Sequence, residues 1–148
     1  MTVEKIMARG LPDHSRTVRP TYGGAHGVYD WKNCAPNAEI SLLEVEGKGM
    51  TYGGYIRLLG VIAAIVDIPI LVVDGLTVSD LKYEYLFDYG IDDATKGPLF
   101  LTAYDQKTGI YQACIAGGIT FESKVELRYD SNTGVAKQPR YGFSYALI

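Results

Sequence analysis

The residues able to do chemistry in this 148-residue chain are few and scattered. Its histidines are His14 and His26, and its cysteines are Cys34 and Cys114. Nucleophilic catalysis or a His-rich metal site needs a histidine held on a rigid scaffold, and both histidines fall in a Gly/Pro/Arg-rich leader. Cys34 follows His26 by eight residues, a spacing that matches no recurrent Cys–His site. Asp92-Asp93, with Asp88 nearby, offers paired carboxylates. General acid–base work needs two carboxyls converging across a cleft with separated pKa values, and sequence neighbours on a loop more commonly make a solvated turn. Oxygens of that loop could instead face a Ca²⁺ ion. Asp130-Ser131-Asn132-Thr133-Gly134 has its glycine too early for a Ca²⁺ loop, with no glutamate to close it. Gly47-Lys48-Gly49 lacks the spacing and hydroxyl of a phosphate loop. No catalytic residue, metal site or cofactor is expected.

Asp67 is the remaining candidate, because it interrupts the most apolar stretch, Leu58–Val73. A buried carboxylate must be paired or hydrogen-bonded. The preferred reading puts Asp67 at a strand bend beside Pro69, accepting backbone hydrogen bonds. The competing one makes it a functional acid inside a barrel. Asp67 and Pro69 also argue against a membrane helix, which wants about 20 apolar residues with few charges.

The elements that would position these residues are strands. Leu58–Val73 reads as parts of two core strands, 56–66 and 68–73, jogged at Asp67. The second leads into Asp74-Gly75, a strong hairpin signal. Glu39–Glu46 alternates polar and apolar residues with one slip at Leu42-Leu43. Leu81–Tyr89 places apolar or aromatic residues at odd positions and charges at even ones, apart from Leu86, so a half-buried strand is expected. A helix capped by Ser79 and stopped by Gly90 is the alternative. Tyr104–Ile110 and Tyr129–Val135 are near copies, each with an aspartate to open a tight turn and a glycine to close it. Seventeen glycines and twelve tyrosines suit short strands and tight turns. The fold expected is mainly β: a single antiparallel β-sandwich or barrel, jelly-roll-like, over residues 37–148. Its C-terminus should be tied into a sheet.

Residues 1–36 lack strand or helix periodicity and read as an extended N-terminal arm. The arm carries Lys5, Arg9, Arg16, Arg19 and Lys32 against Glu4, Asp13 and Asp30, a net charge of +2, leaving −5 on the rest. Thr51-Tyr52-Gly53-Gly54 repeats Thr21-Tyr22-Gly23-Gly24. A net charge of −3 without like-charge blocks does not point to nucleic acid. The first residues lack the apolar core of a signal peptide, so a non-exported product is expected, and Cys34 and Cys114 are read as free thiols in preference to a disulfide.

Tyrosine supplies contact area at low entropy cost, which suits interfaces. Arg16, Arg19, Tyr22, Tyr29, Trp31, Tyr52 and Tyr55 are therefore the expected interface residues. The segments Lys96-Gly97-Pro98-Leu99-Phe100-Leu101 and Ile110–Gly118 form a strand, turn, strand and Gly-Gly pattern. In this the chain resembles the decoration (cement) proteins of tailed-phage capsids. That resemblance implies a virion component assembled in the host cytoplasm, binding a capsid lattice as dimers or trimers, with a terminal arm stapling neighbours. The reading is thus a non-enzymatic assembly protein whose partners are other protein subunits, not nucleic acid or membrane. The alternative is a small-ligand-binding barrel, or barrel-type enzyme, with Asp67 in the cavity.

Overall fold

The computed structural model describes residues 25–148. They fold into two antiparallel sheets packed face to face, an antiparallel sandwich. In chain order the strands are β1 (Ala25–Trp31), β2 (Glu39–Glu46), β3 (Gly49–Leu58), β4 (Ile68–Val73), β5 (Leu76–Ser79), β6 (Leu99–Asp105), β7 (Ile110–Ile115), β8 (Thr120–Phe121), β9 (Lys124–Asp130) and β10 (Arg140–Leu147). The larger sheet runs β1-β10-β3-β7-β6, with β8 added beside β3, and the smaller runs β2-β9-β4-β5. Among the described residues no helix is long and apolar enough to cross a membrane.

Local chemistry explains most of the turns. Asp74 and Gly75 both have positive φ, 52° and 82°, which is the pairing a two-residue hairpin of matching twist requires between β4 and β5. Asp105 accepts from the Lys107 N–H and Gly109 takes φ 72°, closing β6 onto β7 as its sequence predicts. The slip at Leu42-Leu43 is a register shift in the β2–β9 ladder between Ser41 and Leu43. The C-terminal strand β10 is tied between β1 and β3.

Three expectations are corrected. Residues 59–66 are not strand: β3 stops at Leu58, Gly60 turns the chain at φ 85°, and Ile62–Val66 forms a single 3-10 turn. The apolar run is therefore two buried strands separated by a turn whose Ala64 alone is fully buried. Leu81–Tyr89 is not strand either. Tyr83–Asp88 is a short helix, α1, whose N-cap position is Lys82 and not Ser79. Leu86, the residue that broke the alternation, is one of the two that α1 buries; the other is Tyr83, three residues earlier. The helix ends as Gly90 (φ 67°) and Ile91 donate back to the carbonyls of Phe87 and Leu86, the 5→2 and 6→1 pattern of a glycine stop.

The third correction concerns the near-copied turns. Tyr129–Val135 makes no hairpin, because β9 and the following β10 lie in different sheets. Residues 131–139 cross between sheets alongside 32–38, joined by Lys32 N–H to Pro139 O, by Asn37 N–H to Thr133 O, and by reciprocal bonds between Cys34 and Lys137. The chain is thus part of the sandwich from Ala25 onward: β1 pairs along its whole length with β10, Val28 packs on the core, and Cys34 is buried. These residues lie within the segment expected as arm.

The core between the sheets is aliphatic at its centre and aromatic at one end. Tyr83, Tyr111 and Tyr129 are buried, with Tyr83 stacked 5.6 Å from Tyr111 and tilted 6.4 Å from Tyr129. Each hydroxyl has an acceptor, as buried tyrosine requires: Ile56 O, Ile62 O and the Asp67 carboxylate respectively.

Candidate functional site

Two places stand out, a buried polar centre and an exposed face. Asp67 ends the 3-10 turn and enters β4, so its side chain points into the crossover end of the sandwich. It is fully buried. Oδ1 accepts from the Asn132 N–H at 2.8 Å, and Oδ2 accepts from the Tyr129 hydroxyl at 2.7 Å and from Lys137 Nζ at 2.7 Å. Lys137 Nζ also donates to Thr133 Oγ1. Burial pushes the Tyr129 hydroxyl well above its ordinary range, assisted by the nearby Tyr83 and Asp67, which keeps it a proton donor. Burial likewise raises the Cys34 thiol, against the opposing charge of Lys137. Asp67 does sit at a bend beside Pro69, but its partners are mostly side chains. A groove of about 620 Å³ opens nearby between Cys34, Leu59, Val61, Lys137 and Arg140. Asp67 does not line it.

Lys137 is the member of this centre that its sequence position conceals. It follows Gly134-Val135-Ala136 in what reads as loop, and only the partner from residue 67 accounts for its burial.

The exposed face is the outer side of the larger sheet. Antiparallel pairing aligns cross-strand partners on one face, and two adjacent rows result. One runs Trp31, Arg140, Arg57, Gln112; the other runs Tyr29, Gly142, Tyr55, Cys114, Phe100. Tyr29 is 83% exposed and Trp31 46%, far above what such side chains show in a core. Arg57 lies with its guanidinium 4.5 Å from the Tyr55 ring centroid and donates to Gln112 at 2.5 Å. Neither Arg57 nor Arg140 makes an ion pair with another described residue. Between Tyr29 and Tyr55, Gly27, Gly53, Gly142 and Ser144 floor a shallow groove of about 480 Å³.

The outer side of the smaller sheet is different in kind. There Arg128 pairs with Glu39 and Glu126, Lys124 pairs with Glu44, and Ser41 donates to Glu126. These charges are satisfied among themselves, as on a solvated face.

Of the expected interface residues, the fold brings Tyr29, Trp31 and Tyr55 together on one face. Tyr52 stands in neither row; its hydroxyl is buried without a hydrogen-bond partner among the described residues. Arg16, Arg19 and Tyr22 lie outside the described residues. Arg57 and Arg140 join the face as residues that no sequence signal marks, because strand register and not residue type places them there. The acidic loop resolves into local turn chemistry: Asp92 pairs with Lys96, while Asp93 accepts from the Thr95 N–H and hydroxyl. Cys34 and Cys114 are free thiols, one buried at the crossover and the other on the outer face between Tyr55 and Phe100. No family model matches the chain, and no curated protein matches its sequence.

Proposed function

We propose that the protein is a non-enzymatic assembly module that docks a second copy of itself through the outer face and open edge of its larger sheet. The observation that carries this reading is the co-registration of Tyr29 and Tyr55 across a glycine-floored groove, with Trp31 in the adjacent row of the same face. Aromatic side chains and arginine are the residues that anchor interfaces, filling pockets on the partner. Tyr29 projects from the same face that carries the groove, so the surface has both a knob and a hole. A two-fold axis uses one patch twice, each knob entering the other hole.

The edge strand supports the same occupant. Among the described residues β1 pairs with β10 on one side only, and no described strand takes up its other row of N–H and C=O groups. Antiparallel pairing of β1 with a second β1 would satisfy that row and continue the sheet across the axis. The resemblance of residues 96–101 and 110–118 to phage decoration proteins supports a virion as the setting.

Sedimentation velocity across a wide concentration range tests the reading. A reversible dimer is expected for the wild type. Tyr29→Glu/Trp31→Glu should remain monomeric with an unchanged melting temperature, since both side chains are exposed. A wild type that stays monomeric throughout would overturn it.

A further inference from the structure

The Asp67–Lys137 pair is arranged as more than an ion pair. We infer that Lys137 Nζ and the Asp67 carboxyl condense to an intramolecular isopeptide bond, stapling the start of β4 to the crossover that leads into β10. The inference is independent of the assembly reading.

The reacting groups are already in contact. Nζ lies 2.7 Å from Oδ2, and the two side chains are 1% and 0% exposed. Groups held in this way react as though at very high local concentration, provided the geometry is near that of attack. The surroundings supply what amide formation requires. The Asn132 N–H at 2.8 Å from Oδ1 is placed to receive the charge that develops on the oxygen that stays. The Tyr129 O–H at 2.7 Å from Oδ2 is placed to assist the oxygen that leaves. Thr133 Oγ1 accepts from Nζ and so orients the amine toward the carboxyl.

The step balances without any co-reactant. A proton passes from Nζ to Oδ2 along their hydrogen bond, leaving a neutral amine and a carboxylic acid. Nζ then attacks Cγ, and a second proton moves from nitrogen to Oδ2, which departs as water. One C–N bond forms, one C–O bond breaks, and nothing is oxidised or reduced. Two charges that are costly to keep out of water disappear, and the closed site offers little water to reverse the reaction.

The site lies where the bond would matter. Residues 131–139 join the two sheets, and the segment 32–38 is zipped to them. A covalent link there ties the smaller sheet to the last strand of the larger one, and closes a long loop in the unfolded chain.

Mass spectrometry of the full-length wild type under denaturing conditions, after overnight incubation at neutral pH, decides the matter. The expected mass is that of the chain less one water, while Lys137→Arg shows its full mass. A tryptic digest of the wild type should contain a branched peptide joining residues 58–82 to 129–140, because an acylated Lys137 resists trypsin. A wild type at its full mass, with free cleavage after Lys137, would overturn the inference.

Discussion

Tyr55 lies across Gly142 on the outer face of the larger sheet, so close that a β-carbon at 142 would come within 2.4 Å of its Cε1. The missing side chain lets the ring lie flat beside the groove, with Arg57 held against it. The floor of the groove is therefore made by what residue 142 lacks. Gly142→Ala should push the Tyr55 ring outward without touching the backbone. The expected result is a folded protein whose self-association weakens by roughly tenfold, about 1.4 kcal/mol, read by sedimentation.

Gly54 is the contrasting case. A β-carbon there would meet the Gly142 carbonyl oxygen at 2.4 Å, the Ile115 side chain at 3.0 Å and Phe143 Cα at 3.1 Å. Backbone cannot swing aside as a ring can. Gly54→Ala should destabilise the fold by about 1–3 kcal/mol, the usual cost of overpacking, measurable by urea denaturation. Equal stability of the two alanine variants would contradict this account of the β3–β10 approach.

Removing one member of the buried pair should be costly. Asp67→Ala leaves the Lys137 ammonium buried with one neutral acceptor, and strands the Tyr129 hydroxyl and the Asn132 N–H. A loss of about 3–5 kcal/mol is expected from the uncompensated charge. A change within experimental error would show that water reaches the site.

Asp74 gives the fold a pH dependence at the acid end. Its carboxylate accepts the backbone N–H groups of Glu122, Ser123 and Lys124, which lower its pKa to about 2. The folded pKa lies below the unfolded one, near 3.9, so the carboxylate contributes stability above about pH 4 and loses it as pH falls toward 2. Asp74→Asn keeps a residue tolerant of the positive φ but is a poorer acceptor. The stability gap between wild type and this variant should be constant from pH 5 to 7 and close between roughly pH 4 and 2. A gap that persists at pH 2 would refute this.

The two thiols should be distinguishable. Cys34 is buried, with its thiol raised by desolvation, whereas Cys114 is partly exposed on the outer face. An aromatic disulfide reagent should label Cys114 in the folded protein and Cys34 only on unfolding. Rapid labelling of both would place Cys34 at the surface of the neighbouring groove.

Turn chemistry was legible from the residues alone. Asp74-Gly75, Asp105 with Gly109, and the Leu42-Leu43 slip each act locally, so their neighbours in sequence suffice to read them. Leu81–Tyr89 reads as a strand because Tyr85, Phe87 and Tyr89 hold odd positions without being buried. Phe87 and Tyr89 are exposed, Phe87 stacks on Tyr104 at 4.4 Å, and the burial falls instead on Tyr83 and Leu86 at helical spacing. Gly60 was the overlooked signal that ends β3. Lys137 was not legible at all, because the charge that explains it arrives from seventy positions away. The exposed face was half legible. Tyrosine content pointed to an interface, but which tyrosines face outward depends on strand register, and Tyr83, Tyr111, Tyr129 and Tyr141 lie in the core.

Trp31 is the chain's only tryptophan, so its fluorescence reports on the proposed face without labels. Emission maximum and iodide quenching should be followed as protein concentration rises through the association range. The account predicts a blue shift and protection from iodide in step with the increase in mass, both absent in Tyr29→Glu. An oligomer that forms while Trp31 stays red and fully quenchable would contradict the assignment of this face as the interface.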